Sequence, residues 1–299
     1  MRPLHCLYLA WLVVISSHVP MQAAGSARLT VYVVNYPLQY FAERIAGEHA
    51  TVVFPAPSEV DPAFWMPDPP TIAAYQRADL ILLNGATYEK WLTKVTLPYA
   101  RHVDTSAGFQ ARYIRLADAI THTHGPTGAH AHEGYAFTTW LDFDLATQQA
   151  QAIAGALSRK QPELRETFQR RYAALAKDLM ALDAELQASV AKRPQQPFLA
   201  SHPVYDYLVR RYGLRLKSLH WESDVMPSEA EWAKLRELRQ EHPAQWMIWE
   251  ADPMPEIVAR LRTMDINSVV FAPCANVPQQ GDFLSVMRQN VANLSAAFQ

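Results

Sequence analysis

The sequence predicts an α/β protein of two α/β lobes with parallel sheets joined by a single long backbone helix, and three observations carry that expectation. Short apolar runs alternate with amphipathic segments in both halves of the chain, the order that builds parallel sheets covered on both faces. A stripe of apolar residues spaced by threes and fours lies between the halves. The chain has 299 residues, 49% of them hydrophobic, which is enough for two ordinary cores.

In the first half, Leu29 to Val34 and Thr51 to Phe54 have the length and β-branched content of buried strands, with a helix from Pro37 to Gly47 between them. A proline-rich stretch from Pro55 to Pro70 follows. Ile72 to Arg77 then suggests a helix, Leu80 to Leu83 a strand, and Tyr88 to Val95 another helix. The second half repeats the pattern with strands at Phe198 to Ser201, Leu216 to His220, Met247 to Trp249 and Val269 to Phe271. Helices fall between them at Val204 to Tyr212, Glu229 to Glu241 and Met254 to Met264.

Between the halves, Leu164, Phe168, Tyr172, Leu175, Leu179, Leu182, Leu186 and Val190 form one apolar stripe. Pro162 suits a first helical turn and Pro194 lies past the far end, so a helix over 162–191, roughly 40 Å long, is expected. Such a stripe also suits a coiled-coil dimer, but sheet-forming sequence on both sides favours a helix bridging lobes at 28–160 and 195–299. The lobes would then tilt slightly about a ligand rather than swing widely.

Residues 1–24 read as an export signal: Arg2 is positive, Leu7 to Ile15 is an apolar run too short to span a bilayer, and Ala23 and Ala24 are small. Export to the periplasm, or outside the cell, is the implied destination. Cleavage would remove Cys6 and leave Cys274, so no internal disulfide can form, and Cys274 reads as a small buried residue. The near-balance of 27 Lys plus Arg against 29 Asp plus Glu argues against a nucleic-acid partner. No glycine-rich phosphate loop is present, and Gly is scarce at 10 copies. Ser201, His202 and Asp206 are close in sequence but lack any nucleophile elbow, and Glu222 and Asp224 read as solvated loop charges, so the chain is not expected to be an enzyme.

Just before the long helix comes an island containing His122, His124, His130 and His132 with Glu133, where Gly and Pro predict a loop rather than a regular element. Paired histidines of this kind suit Zn²⁺ or Cu²⁺.

Several motifs in order complete the pattern: Asp61-Pro62 with Pro67; Ala78 through Gly85 with Glu89 and Trp91; Trp140-Leu141-Asp142; Ser201-His202-Pro203 with Tyr205, Tyr207 and Tyr212-Gly213-Leu214; Glu250; and Ala272-Pro273. Together they run from Asp61 to Pro273 and resemble the zinc and manganese receptors of bacterial ABC importers, the ZnuA/TroA-like group. The resemblance implies a monomeric periplasmic solute-binding protein that docks on an ABC permease in the membrane. Zinc or another divalent transition metal, or a metal-containing solute, would be its cargo.

It also implies a metal held between the lobes by histidines and carboxylates, and there this chain departs from the group. The first, second and last ligand positions are Ala63, Thr138 and Ala272, leaving only His202. A tetrahedral zinc ion needs more donors than one. Two compensations are open. The four histidines of the island supply the ligands, or the cleft takes a different ligand with Phe64, Trp65, Trp140 and Trp249 as aromatic walls and Thr138, Glu250 and His202 as polar anchors. The alternative reading is a degenerate relative that binds a non-metal small molecule or a protein partner. With its expected partners missing, His202 is expected to matter little to zinc affinity on its own.

Overall fold

The computed structural model describes residues 28–116, 120–123, 129–132 and 134–299. The region read as an export signal lies outside them.

Strand β1 (Leu29–Val33) is followed by helix α1 (Tyr36–Ala46), β2 (Ala50–Val53), α2 (Pro69–Arg77), β3 (Leu80–Leu83) and β4 (His102–Asp104). These four strands form a parallel sheet in the order β2-β1-β3-β4. All four residues of β3 are buried, as a strand covered on both faces requires. A two-stranded antiparallel hairpin of β5 (Ile120–Thr123) and β6 (Ala129–His132) comes next. Two helices, α3 (Phe143–Lys160) and α4 (Arg165–Val190), then lead to the second half. There β7 (Pro197–Ala200), α5 (Asp206–Tyr212), β8 (Arg215–Ser218), α6 (Glu229–Glu241), β9 (Trp246–Trp249), α7 (Pro255–Arg262), β10 (Asn267–Val270) and α8 (Phe283–Ala296) complete the chain. Its sheet is also parallel, in the order β10-β9-β7-β8.

Local chemistry explains where the helices start. Asn35 caps α1 by accepting from Leu38 N at 3.1 Å, Asp142 caps α3, and Ser228 with Glu231 forms a capping box on α6. The apolar stripe of α4 buries Phe168, Leu175, Leu179, Leu182, Leu186 and Val190. It joins the two lobes, as the sequence predicts. α4 packs on α1, α3 and α8, and one hydrophobic core runs from β1 and β3 through these helices to Phe198, Phe271 and Phe283. A second core lies on the other face of the second sheet, around Trp221, Trp232, Met247 and Trp249.

Three expectations need correction. The helix expected over Tyr88 to Val95 is one 3-10 turn at Lys90–Thr93, because the chain reaches it through three successive positive φ angles at Gly85, Ala86 and Thr87. Only glycine fits the first of these. A Cβ at position 85 would sit 2.2 Å from Asp104 Oδ1 and 2.1 Å from Ser106 Oγ. The histidine island is not all loop, since 120–123 and 129–132 pair as strands with His122 opposite His130. The third correction is that α3, α8 and the short β4 have no counterpart among the expected elements, the two helices completing the helix layer.

The segment after β3 also explains the Asn84 and Glu89 motif. Asn84 is fully buried and bonds Asn35 Nδ2 at 3.1 Å, Gln149 Nε2 at 3.2 Å and Phe137 O at 3.0 Å, tying β3 to α1, α3 and the entry to α3. Glu89 accepts from the backbone N–H of Asn84 and, at 3.4 Å, of Gly85. Burial outweighs these bonds and raises its pKa from 4.5 to about 7. Folded Glu89 therefore keeps its proton over a range where the unfolded chain has lost it. This contribution is most favourable below about pH 4.5 and turns into a penalty of up to about 3 kcal/mol as pH rises to 7. Glu89→Gln, which stays neutral, is expected to gain stability relative to wild type between pH 5 and 7.5 in urea unfolding. A gap between the two proteins that does not change with pH would show that Glu89 titrates normally.

Candidate functional site

The lobes meet along a seam of direct hydrogen bonds. Thr138 Oγ1 donates to Val204 O at 2.6 Å, and Trp140 Nε1 to Pro273 O at 2.8 Å. Tyr36 N donates to Ala275 O at 3.0 Å, and Asn276 Nδ2 reaches Pro57 O at 2.7 Å and Val60 O at 2.9 Å. The three positions where the resemblance implied metal ligands lie on or beside this seam without a donor side chain. Ala63 is fully buried, Thr138 is engaged with Val204, and Ala272 is held through its backbone by Asn290.

The aromatic wall is only partly realised. Trp65 is half-buried, and Phe64 stacks edge-on against Phe137. Trp140 and Trp249, by contrast, have no exposed surface. Trp140 packs against Tyr88, and Trp249 donates to Ser268 Oγ from within the second core. These two are core residues rather than walls of a ligand cleft. Cys274 is half-buried, and burial, followed by Asp282, pushes its thiol up to about 12, so it offers no thiolate at neutral pH.

His202 has more company than the sequence suggested. It lies just beyond β7 and is 2% exposed, with Nδ1 3.1 Å from Trp221 O and 3.3 Å from Glu250 Oε1. Its Nε2 faces Glu222 Oε1 at 3.6 Å, and the His220 ring stands edge-on with centroids 6.1 Å apart. Burial, and after it Lys234, lowers the His220 pKa, which keeps that ring neutral at pH 7. His202, His220 and Glu222 border a recess of about 200 Å³ that Glu231 and Met226 also line. Glu222 had read as a solvated loop charge, and only the placement of β8 beside β7 brings it to His202. Among the described residues, no three His, Cys, Asp or Glu side chains converge on one point as a formed metal site would require. Of the histidine island, residues 122, 130 and 132 lie on the paired strands, while His124 and Glu133 fall outside the described residues.

Relatives agree with this architecture. The chain is 24% identical over 291 residues to the zinc-binding lipoprotein AdcA of Streptococcus pneumoniae, an alignment covering 91% of this chain and 56% of AdcA, so it spans little more than half of that relative. It is 27% identical over 234 residues to the high-affinity zinc uptake system protein ZnuA of Bacillus subtilis, covering 75% of this chain and 71% of that protein. The crystal structure of the metal-dependent lipoprotein YcdH of Bacillus subtilis superposes with a TM-score of 0.75 at 22% identity, covering 90% of this chain and 98% of that one, which establishes a shared fold. Residues 31–297 match the family of the periplasmic zinc-uptake complex component A, ZnuA, and the chain belongs to that family.

Proposed function

We propose that this protein is the solute-binding component of an ABC importer and that its cargo is zinc or another divalent transition metal. The observation that supports this best is the pairing of His202 with two carboxylates and a second histidine at the rim of a recess, in a chain of this family. Export through cleavage of residues 1–24, action as a monomer, and docking of lobes 28–160 and 195–299 on a membrane permease complete the reading. Because one core and the helix layer run through both lobes, ligand binding would tilt the lobes slightly rather than open them. The burial of Trp140 and Trp249 weakens the case for an organic ligand stacked between aromatic faces. Trp65, Thr138 and Glu250 keep such a role as the alternative reading. His122, His124, His130 and His132 are assigned the role of an accessory capture group.

Imidazole must be deprotonated to donate to a metal, and an unperturbed histidine titrates near ~6.5. Calorimetric zinc titration of the mature chain is expected to show binding at pH 7 that weakens at least about tenfold by pH 5.5. Deleting 122–132 should remove only weak equivalents of zinc and leave the unfolding midpoint unchanged. Failure to bind any of Zn²⁺, Ni²⁺ and Mn²⁺ at pH 7, or binding indifferent to pH, would contradict the proposal.

A further inference from the structure

We propose that a recess between α5 and β8 binds an organic ammonium ion with an apolar body, Asp206 accepting from its N–H groups while Val209 and Leu216 pack on its hydrocarbon. This goes beyond the metal-binding reading and does not depend on it, since the recess shares no residue with the groups proposed there.

The recess has a volume of about 350 Å³ and draws its walls from both lobes. On α5, Asp206, Val209 and Arg210 share one face, as residues three and four apart do. On β8, the edge strand of its sheet, Leu216 and Ser218 alternate with the exposed Arg215 and Lys217 and so point to one side. Ile114 lines the recess from the first lobe. Its N–H donates to Tyr207 OH at 3.4 Å and its carbonyl accepts from Ala136 N at 2.9 Å, so this wall is held in place by the fold itself.

Asp206 is the anomaly that points to a ligand. Apart from its own backbone N–H, its carboxylate has no hydrogen-bond or ion-pair partner among the described residues. Arg210, one turn further along α5, is committed elsewhere. Its guanidinium donates to Arg112 O, lies 3.7 Å from Asp142 Oδ2 and stands 5.0 Å from the centre of the Tyr207 ring. Burial raises the Asp206 pKa above its usual value, the mark of a carboxylate whose lost water has not been replaced. An ammonium ion supplies both the missing charge and several donors. Hydrocarbon attached to it displaces water from Ile114, Pro203, Val209 and Leu216. An anion would be repelled by the carboxylate, and a neutral molecule would leave it uncompensated. A metal ion would find one carboxylate and the Ser218 hydroxyl, too few donors to hold it.

The test titrates the full mature chain at pH 7.5 by calorimetry with n-hexylamine, and with hexan-1-ol and hexanoate as its neutral and anionic counterparts. Hexylamine is expected to bind at one equivalent with a dissociation constant of about 1 mM or tighter, and the other two at least about tenfold more weakly. Asp206→Asn, an isostere that removes a poorly compensated charge, should weaken hexylamine at least about tenfold without lowering the melting temperature. Leu216→Ala should weaken it about threefold by thinning the apolar wall. Asp224→Asn, an exposed acid elsewhere on the second lobe, should change nothing. The three probes on wild type need no variant, so they decide the matter should Asp206→Asn misfold. Hexylamine that fails to bind, that binds no tighter than hexan-1-ol, or that binds folded Asp206→Asn as tightly as wild type would overturn the site. Zinc titration of the same protein reads the metal proposal separately, and neither outcome there changes this one.

Discussion

Asp183→Ala is expected to cost about 3 kcal/mol of folding stability, because removing one member of a buried ionic network leaves its partners uncompensated. Asp183 is 2% exposed on α4, in the middle of the apolar stripe. Its carboxylate accepts from Arg211 Nε at 2.8 Å and Nη2 at 2.6 Å, from Tyr212 OH at 3.0 Å and from Gln187 Nε2 at 2.8 Å. The bond from Asp183 holds the Arg211 guanidinium charged well beyond its usual range. Removing the carboxylate leaves that guanidinium, in a mostly buried place, with only the longer contact to Asp142 Oδ1 at 3.7 Å, and leaves the Tyr212 hydroxyl without its acceptor. Arg211 keeps some water access, with 23% of its side chain exposed, which holds the cost near the low end for buried pairs. The network anchors α5, and with it the turn after β7, to the long helix. Urea unfolding measures the loss directly, and a cost below about 1 kcal/mol would mean that the network rearranges around water.

Trp140→Ala is expected to cost about 3–5 kcal/mol, as truncation of a fully buried aromatic does. Trp140 has no exposed surface, meets Tyr88 edge-on at 5.8 Å, and bonds Pro273 O across the lobe seam. Alanine there opens a cavity in the shared core and leaves the Pro273 carbonyl without that donor. At roughly 2–4 °C per kcal/mol for a chain of this size, the melting temperature should fall by about 10 °C. Zinc affinity of the protein that remains folded should change less than about threefold, because no donor is removed. Trp140→Phe should recover much of the stability. A large drop in affinity with an unchanged melting temperature would return Trp140 to the ligand site.

Much of the fold was legible because it is written in local patterns. The stripe from Leu164 to Val190 predicted a helix over 162–191 where α4 runs Arg165–Val190, and the continuous apolar run Leu80 to Leu83 predicted a central strand. Part of what escaped was short or set by tertiary contacts, although the 18-residue α3 was not. β4 is three residues long, below the reach of any periodicity, and the Lys90–Thr93 turn follows a left-handed run at Gly85 to Thr87 that no propensity signals. α8 did leave a trace, since Phe283, Leu284, Met287, Val291 and Leu294 recur on one face behind an Asp282 cap.

The site was less legible. His202 stood out, but Glu222 and His220 did not, because a single sequence does not reveal that β8 lies beside β7 in the order β10-β9-β7-β8. Trp140 and Trp249 were misread for the complementary reason. Aromatic residues next to polar anchors look like a pocket wall in sequence, and only burial shows that they face inward.

Retention of a divalent metal by this chain is most directly tested by the metal content of the mature protein, purified from its native compartment without a histidine tag. Inductively coupled plasma mass spectrometry on chain freed of loosely held ions by gel filtration at pH 7.5 should find close to one equivalent of zinc or another first-row divalent metal. Protein that emerges metal-free, and stays so after incubation with Zn²⁺ and a second gel filtration, would contradict the assignment.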